Sequence, residues 1–196
     1  MTSLLETMAP YQMTASWAVW PPADSYNRAS DISFPTEGLN GALHSRSIIL
    51  GLNPGDSLVE RLPWHNFHAG PRHNDHFLAE AFRGTAHWGA YMTDLLTEVN
   101  SKSKTLDLSP GTIRRDVAVL TEQLHALQAA DPLFIVIGKK TGEAFAKHER
   151  DLARALNMAR LRSVTVPHYS AANSRVHGNN PATYRRLVAN ALGNTA

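Results

Sequence analysis

The chain contains no cysteine, which excludes disulfides, thiolate zinc sites and cysteine-held iron–sulfur clusters. Any metal would have to be held by His or carboxylates. No apolar stretch approaches the roughly twenty residues that a membrane-spanning helix needs, and the N-terminus lacks the basic-then-apolar layout of a secretory signal. No membrane partner and a cytoplasmic location are therefore expected. Acidic side chains are missing from the C-terminal part: none follows Asp151, whereas Arg154, Arg160, Arg162, Arg175, Arg185 and Arg186 do. Residues 139–196 hold ten Lys or Arg against three acidic residues, and residues 1–60 hold two Arg against six. The formal net charge of +2 hides this sorting. If the basic residues share a face, they suit a polyanion, nucleic acid first among them. A solvated basic helix is the plainer explanation.

With 196 residues, 43% of them hydrophobic and 18% charged, the chain can bury one sizeable core, and a single domain is expected. Residues 1–45 are irregular in pattern, yet Trp17, Trp20, Pro21 and Pro22 make them too apolar for a disordered tail, so they should pack as a covering segment. Apolar runs predict short strands at about 46–51, 90–96, 133–137 and 163–166. Helical spacing predicts helices near 77–82, from Pro110 to about 129, from about 139 to 156, and from Pro181 to 192. Strands alternating with helices predict a three-layer α/β/α domain with a short, mainly parallel four-stranded sheet. No internal repeat or low-complexity tract is present.

Three polar loops follow predicted strands, at 51–76, 93–105 and 167–180, and a parallel sheet would bring them to one edge, where open α/β folds bind ligands. The first begins Gly51-Leu52-Asn53-Pro54-Gly55 directly after Ser47-Ile48-Ile49-Leu50, an amide side chain on a tight turn at a strand's carboxyl end. A structural strand exit, with Asn and Gly chosen for unusual backbone angles, is the plain alternative. The same loop continues through Phe67-His68-Ala69-Gly70-Pro71 and Asn74-Asp75-His76-Phe77. The last reads His168-Tyr169-Ser170-Ala171-Ala172-Asn173-Ser174-Arg175.

These segments, with Gly89-Ala90-Tyr91-Met92-Thr93-Asp94-Leu95 between them, resemble in order the motifs of the uracil-DNA glycosylase superfamily. The branch most similar is that of the mismatch-specific uracil/thymine glycosylases, whose first motif has Ile where this chain has Leu52. The resemblance runs from about residue 46 to 190. It implies a metal-independent, cofactor-free DNA glycosylase of base-excision repair, a monomer that rotates a damaged base out of DNA and cleaves its N-glycosidic bond. Asn53 would position water without taking a proton, so that orientation and charge stabilisation carry catalysis. His168 would donate to the carbonyl oxygen that becomes negative. Leu52, Phe67 and Asp94 would contact the base, Phe67 by stacking. Arg175 would fill the gap in the base stack, and Ser170, Asn173 and Ser174 belong to the loop that enters DNA, the two serines holding phosphates.

Asp94 departs from the family pattern, which has Asn there. An ionised carboxylate only accepts hydrogen bonds, so it would face uracil O4 with negative charge, and a cytosine-like edge with an exocyclic amine suits it better. A different damaged base, a protonated Asp94, a shifted alignment and a separate carboxylate role such as activating water all remain open, and uracil is not expected to be the best substrate. His65, His68, His73 and His76 lack a carboxylate or a His-Glu-x-x-His pattern, and are expected to line the entrance or meet DNA phosphates rather than hold metal. Gly138-Lys139-Lys140-Thr141 lacks the order of a nucleotide-triphosphate loop and should start a helix near the sheet edge. Two other functions fit the same pattern: a non-catalytic module that binds nucleic acid or a modified base, and a small-molecule hydrolase acting on nucleosides.

Overall fold

A computed structural model describes residues 3–39, 41–55, 62–69, 73–100 and 105–193. In chain order the elements are α1 (Leu4–Thr7), β1 (Ser16–Trp17), β2 (His44–Gly51), α2 (His76–Phe82), β3 (Ala90–Asp94), α3 (Pro110–Ala126), β4 (Leu133–Ile137), α4 (Lys139–Ala155), β5 (Arg162–Val166), α5 (Ser174–His177) and α6 (Pro181–Gly193). The sheet has five strands in the order β1-β3-β2-β4-β5. β2, β3, β4 and β5 pair in parallel, and β1 closes one edge antiparallel to β3 through Ser16 opposite Met92 and Trp17 opposite Tyr91. The sheet is therefore mixed and five-stranded where four strands were expected. Two residues are too few to show an alternation, and the pairing that makes them a strand comes from β3, far away in sequence.

Both faces of the sheet are covered at its centre, where adjacent residues of β2 and of β4 are buried in different layers. Ile48, Leu50, Phe134 and Val136 pack with Ile113, Val117 and Leu120 of α3 and with Phe145 and Leu152 of α4. Ile49, Ile135 and Ile137 pack with Phe77, Leu78 and Phe82 of α2 and with Tyr184 and Val188 of α6. Each of these side chains contributes about 1.5–3 kcal/mol on leaving water. The Ser109 hydroxyl caps α3 by accepting from the Thr112 N–H, and Pro110 fills the first helical position, where its missing N–H costs nothing. The helix stops at Ala126, three residues short of the expected end, because Gln128 turns into the left-handed region.

The segment before β2 does pack onto the rest of the chain. Trp17 and Trp20 are buried, and the Ser16 hydroxyl donates to the Trp64 carbonyl at 2.6 Å. α2 is fixed to α6 by Glu80, which accepts from Arg83, Arg185 and the Tyr26 N–H. Burial pushes the Glu80 carboxyl up, but these donors together hold it below the ordinary range. From β2 the chain crosses to β3 on one side, then returns past β2 to β4 on the other. That reversal opens a crevice at the carboxyl ends of β2 and β4. No helix among the described residues is long and apolar enough to cross a membrane.

Candidate active site

A cavity of about 920 Å³ lies at this crevice. It brings together Leu52, Asn53, Phe67, Asp94, His168, Ser170 and Asn173, residues from all three loops named on sequence grounds. Ser174 and Arg175 are not among its walls; they stand exposed on the four-residue helix α5, an element the sequence pattern did not announce. Gly70 and Pro71 lie outside the described residues.

Asn53 is locked. Its Nδ2 donates to the carbonyls of Pro54, Glu98 and Asn100, at 3.0, 3.2 and 2.6 Å. Three acceptors around one nitrogen fix which end of the amide is the NH2. Oδ1 is then the atom left to accept a hydrogen bond from a ligand or water.

His168 is equally constrained. The Ser170 N–H donates to its Nδ1 at 3.1 Å, which places the ring proton on Nε2. Burial, with a smaller contribution from His177, moves the imidazole below its ordinary pKa, so the ring is a neutral N–H donor at neutral pH. Among the described residues nothing pairs with Nε2. Tyr169 stacks on the imidazole at 4.9 Å and 16°. Gly138, at φ +89°, ends β4 directly beneath it: a Cβ there would press on His168 Cβ and Cδ2 at 3.1 Å. Glycine serves here for both its backbone angle and its lack of a side chain.

Phe67 also sits in the left-handed region, at φ 66°, as do Trp64 and Asn74 of the same loop. For an aromatic residue that conformation costs of order 1–3 kcal/mol and persists only where surrounding contacts enforce it. Its effect is to lay the Phe67 ring over Gly51, with Cζ 3.1 Å from where a Cβ would stand. Asn74 carries its conformation more easily, and its Nδ2 donates to the Tyr169 carbonyl at 3.3 Å, tying this loop to the His168 loop. The Asp94 carboxylate occupies the same space over Gly51, because Gly51 and Asp94 are register partners at the ends of β2 and β3. Its Oδ2 accepts from Asn66 Nδ2 at 2.8 Å.

Three wall residues were not assigned roles from sequence. Asn66 lies in a His-rich loop with no periodic signal. Asp75 was within a quoted segment, but nothing in its spacing shows that it is 1% exposed and that its Oδ2 accepts from the Ala69 N–H at 2.7 Å. Burial raises this carboxyl to about 6 against the opposing pull of the Ala69 N–H, His73 and the Tyr169 hydroxyl. Tyr169 is raised in turn, first by burial and then by the charges of Asp75 and Asp94. The lone acidic residue between Asn74 and His76 was the available signal; its burial is a tertiary property.

The histidines divide. His65 and His73 line the cavity, whereas His68 is buried, with Nδ1 2.9 Å from the Ile32 carbonyl and Nε2 3.2 Å from that of Trp17. His76 is buried on α2. Neither His68 nor His76 lies at an entrance, because the loop folds back under residues 17–34 before α2 begins. Among the described residues no group of three or more His, Asp or Glu is placed to hold a metal.

The basic residues do not form one face either. Lys139 and Lys140 border the cavity at the start of α4, and Arg185 is paired with Glu80. Arg150, Arg154 and Arg160 line a separate cleft of about 740 Å³ where α4 ends and β5 begins.

Fold and cavity together define a three-layer α/β protein whose ligand site lies at the carboxyl edge of the parallel strands, walled by a locked amide, a neutral imidazole and two carboxyl groups. The chain matches no protein-family model, and a search among curated proteins returns no match.

Proposed function

We propose that this protein is a DNA glycosylase that takes a base rotated out of the helix and hydrolyses its N-glycosidic bond. The observation that carries the reading is the pair Asn53 and His168: on one cavity, an amide with its N–H groups consumed by three carbonyls, and an imidazole with its proton fixed on Nε2. Such a pair supplies one acceptor and one donor of settled orientation, with no reorganisation left to do during reaction.

Water held at Asn53 Oδ1 attacks the sugar C1′, the electron pair of the breaking bond flows into the base, and the proton shed by the attacking water, which the amide cannot take, leaves to solvent and returns to the departing base anion. The negative charge that gathers on the base carbonyl oxygen is met by His168 Nε2–H, a contribution of roughly 3–4 kcal/mol for a donor of this type. Phe67 provides the stacking surface, worth roughly 1–3 kcal/mol per base. In this reading Ser174 and Arg175, exposed on α5 directly after the wall residue Asn173, contact the DNA outside the flipped nucleotide.

The test is incubation with single- and double-stranded oligonucleotides carrying uracil, cytosine, hypoxanthine, xanthine or mismatched thymine, followed by alkaline cleavage of abasic sites. Asn53→Ala and His168→Ala are each expected to lower turnover at least a hundredfold with DNA affinity changed less than threefold. If no lesion is cleaved while salt-sensitive DNA binding persists, the protein is a binding module instead.

A further inference from the structure

We infer that Asn74 and His177 are positioning residues for His168: from outside its loop they hold the two peptides that meet at Ser170, and so keep the Ser170 N–H on the imidazole. The contacts stand on geometry alone, while their effect on turnover rests on the glycosylase reading.

A trans peptide is planar, with its C=O and N–H pointing in opposite directions. The Tyr169 C=O and the Ser170 N–H are the two ends of one such plane. Asn74 Nδ2 donates to the Tyr169 carbonyl at 3.3 Å, and at the opposite end of the plane the Ser170 N–H donates to His168 Nδ1 at 3.1 Å. Whatever fixes the carbonyl therefore aims the N–H. The Asn74 amide is itself aimed, because its Nδ2 also donates to Asn179 Oδ1 at 3.4 Å, and two acceptors around one nitrogen settle which end is the NH2.

The next plane runs from Ser170 to Ala171, and its carbonyl lies 3.2 Å from His177 Nε2. A carbonyl only accepts, so the His177 proton sits on Nε2. His177 is fully buried, edge-on to Phe77 at 5.0 Å and 71° and to Tyr184 at 5.9 Å and 87°, so no water competes for that proton. Its Nδ1 makes no hydrogen bond among the described residues. The start of the loop is tied down separately: the Val166 carbonyl accepts from the Gly138 N–H at 2.8 Å and the Pro167 carbonyl from the Tyr184 hydroxyl at 2.9 Å. Asn74 and His177 secure the part after His168. The imidazole is anchored at Nδ1 and offers its proton at Nε2, across the ring. A peptide that swings away from Nδ1 lets the donor drift and frees Nδ1 to take the proton. Misplacing a reacting group by about 1 Å costs on the order of a hundredfold in rate.

The experiment uses four variants beside the natural protein. Asn74→Gly deletes the side chain and keeps the backbone, since glycine adopts φ 59° freely. His177→Phe keeps a ring between Phe77 and Tyr184 and removes the donor, His177→Gln returns an NH2 near the place of Nε2, and Asn74→Gly/His177→Phe removes both holds. Hydrogen exchange of the Ser170 N–H is followed relative to the N–H groups of β4, which report global opening. The His168 ring-nitrogen NMR shifts, assigned with His168→Gln, report the tautomer. Ser170 protection is expected to fall about tenfold in Asn74→Gly and in His177→Phe, and further in the double variant, with the two ring-nitrogen shifts moving toward each other. His177→Gln is expected to stay within about threefold of the natural protein in protection. On the oligonucleotide that is cleaved, kcat should fall about ten- to a hundredfold in the double variant, with KM within about threefold. Ser170 protection within about twofold of natural in the double variant, or lowered protection with kcat unchanged, overturns the inference. If the natural protein cleaves no lesion, the glycosylase reading falls, and protection and tautomer alone decide whether the two residues hold His168.

Discussion

Gly51→Ala adds one methyl group, and the cavity geometry sets its cost. Gly51 is ordinary extended strand that any residue adopts, so only space demands glycine there. The Cβ would land well inside contact distance of Asp94 Oδ1 and stand 3.1 and 3.2 Å from Phe67 Cζ and Cε1. Asp94 must move, and its bond from Asn66 is lost. Overpacking a fitted site costs about 1–3 kcal/mol, and a hydrogen bond to a charged group about 1.5–3 kcal/mol, so the substitution should destabilise the protein by about 3–5 kcal/mol. Urea unfolding monitored by tryptophan fluorescence measures this, with the chain's four tryptophans as reporters. The cause is isolated by repeating Gly51→Ala in an Asp94→Ala background. There the carboxylate is gone, only the Phe67 contact remains, and the cost should fall by about 2 kcal/mol or more. Equal costs in the two backgrounds, within about 0.5 kcal/mol, would mean that Asp94 does not press on Gly51.

Two further outcomes concern protonation. Asp75 is raised to about 6 from an ordinary value of 3.8, so folding favours its protonated form; its contribution is full below about pH 4 and lost as pH rises through 6, a change of about 3 kcal/mol. Asp75→Asn keeps an acceptor for the Ala69 N–H and removes the titration. Its stability relative to the natural protein should therefore rise by about that amount between pH 4 and 7 in urea melts, and a constant difference would refute the assignment. His168 is shifted the other way by burial, and protonating Nδ1 would break the bond from Ser170. If the proposed glycosylase activity holds, its turnover should consequently show no His168 inflection near pH 6.5 and should decline only at more acid pH. A Ser170→Pro variant, which lacks that N–H, should move the inflection; an unchanged profile would mean the bond does not hold the tautomer.

The four parallel strands and the helices between them were legible because each buries a pattern that local sequence displays. Ile48-Ile49-Leu50 and Phe134-Ile135-Val136-Ile137 are continuous apolar runs, as strands covered on both faces must be. β1 was not legible: Ser16-Trp17 is a strand only by virtue of Tyr91 and Met92. α5 is one turn long, closed by Gly178 at φ 61°, and too short for any period to appear. The histidines failed differently. Four of them within residues 65–76 read alike in sequence, yet His68 and His76 are buried while His65 and His73 line the cavity. Composition placed them in one class, and the fold of a single loop, with three non-glycine residues in left-handed conformations, separated them.

The same division between local and distant information explains what the Asn53 turn disclosed. A strand ending in Gly-Leu-Asn-Pro-Gly announces an amide at a sheet edge, but not which end of the amide faces the ligand. That orientation is decided by the carbonyls of Glu98 and Asn100, which arrive from beyond β3. His168 is the opposite case, since its tautomer is set by Ser170, two residues away, and only its burial is distant. Asp94 combines both, being presented by its own strand and oriented by Asn66. A site assembled this way has an order of vulnerability. Changes at residues 98–100 act on the amide through their backbone and are nearly invisible to side-chain replacement, whereas Asn66 acts through its side chain alone. A single substitution at Asn66 therefore reaches the Asp94 carboxylate, while disturbing the Asn53 amide from outside requires altering the backbone path of the 97–100 loop.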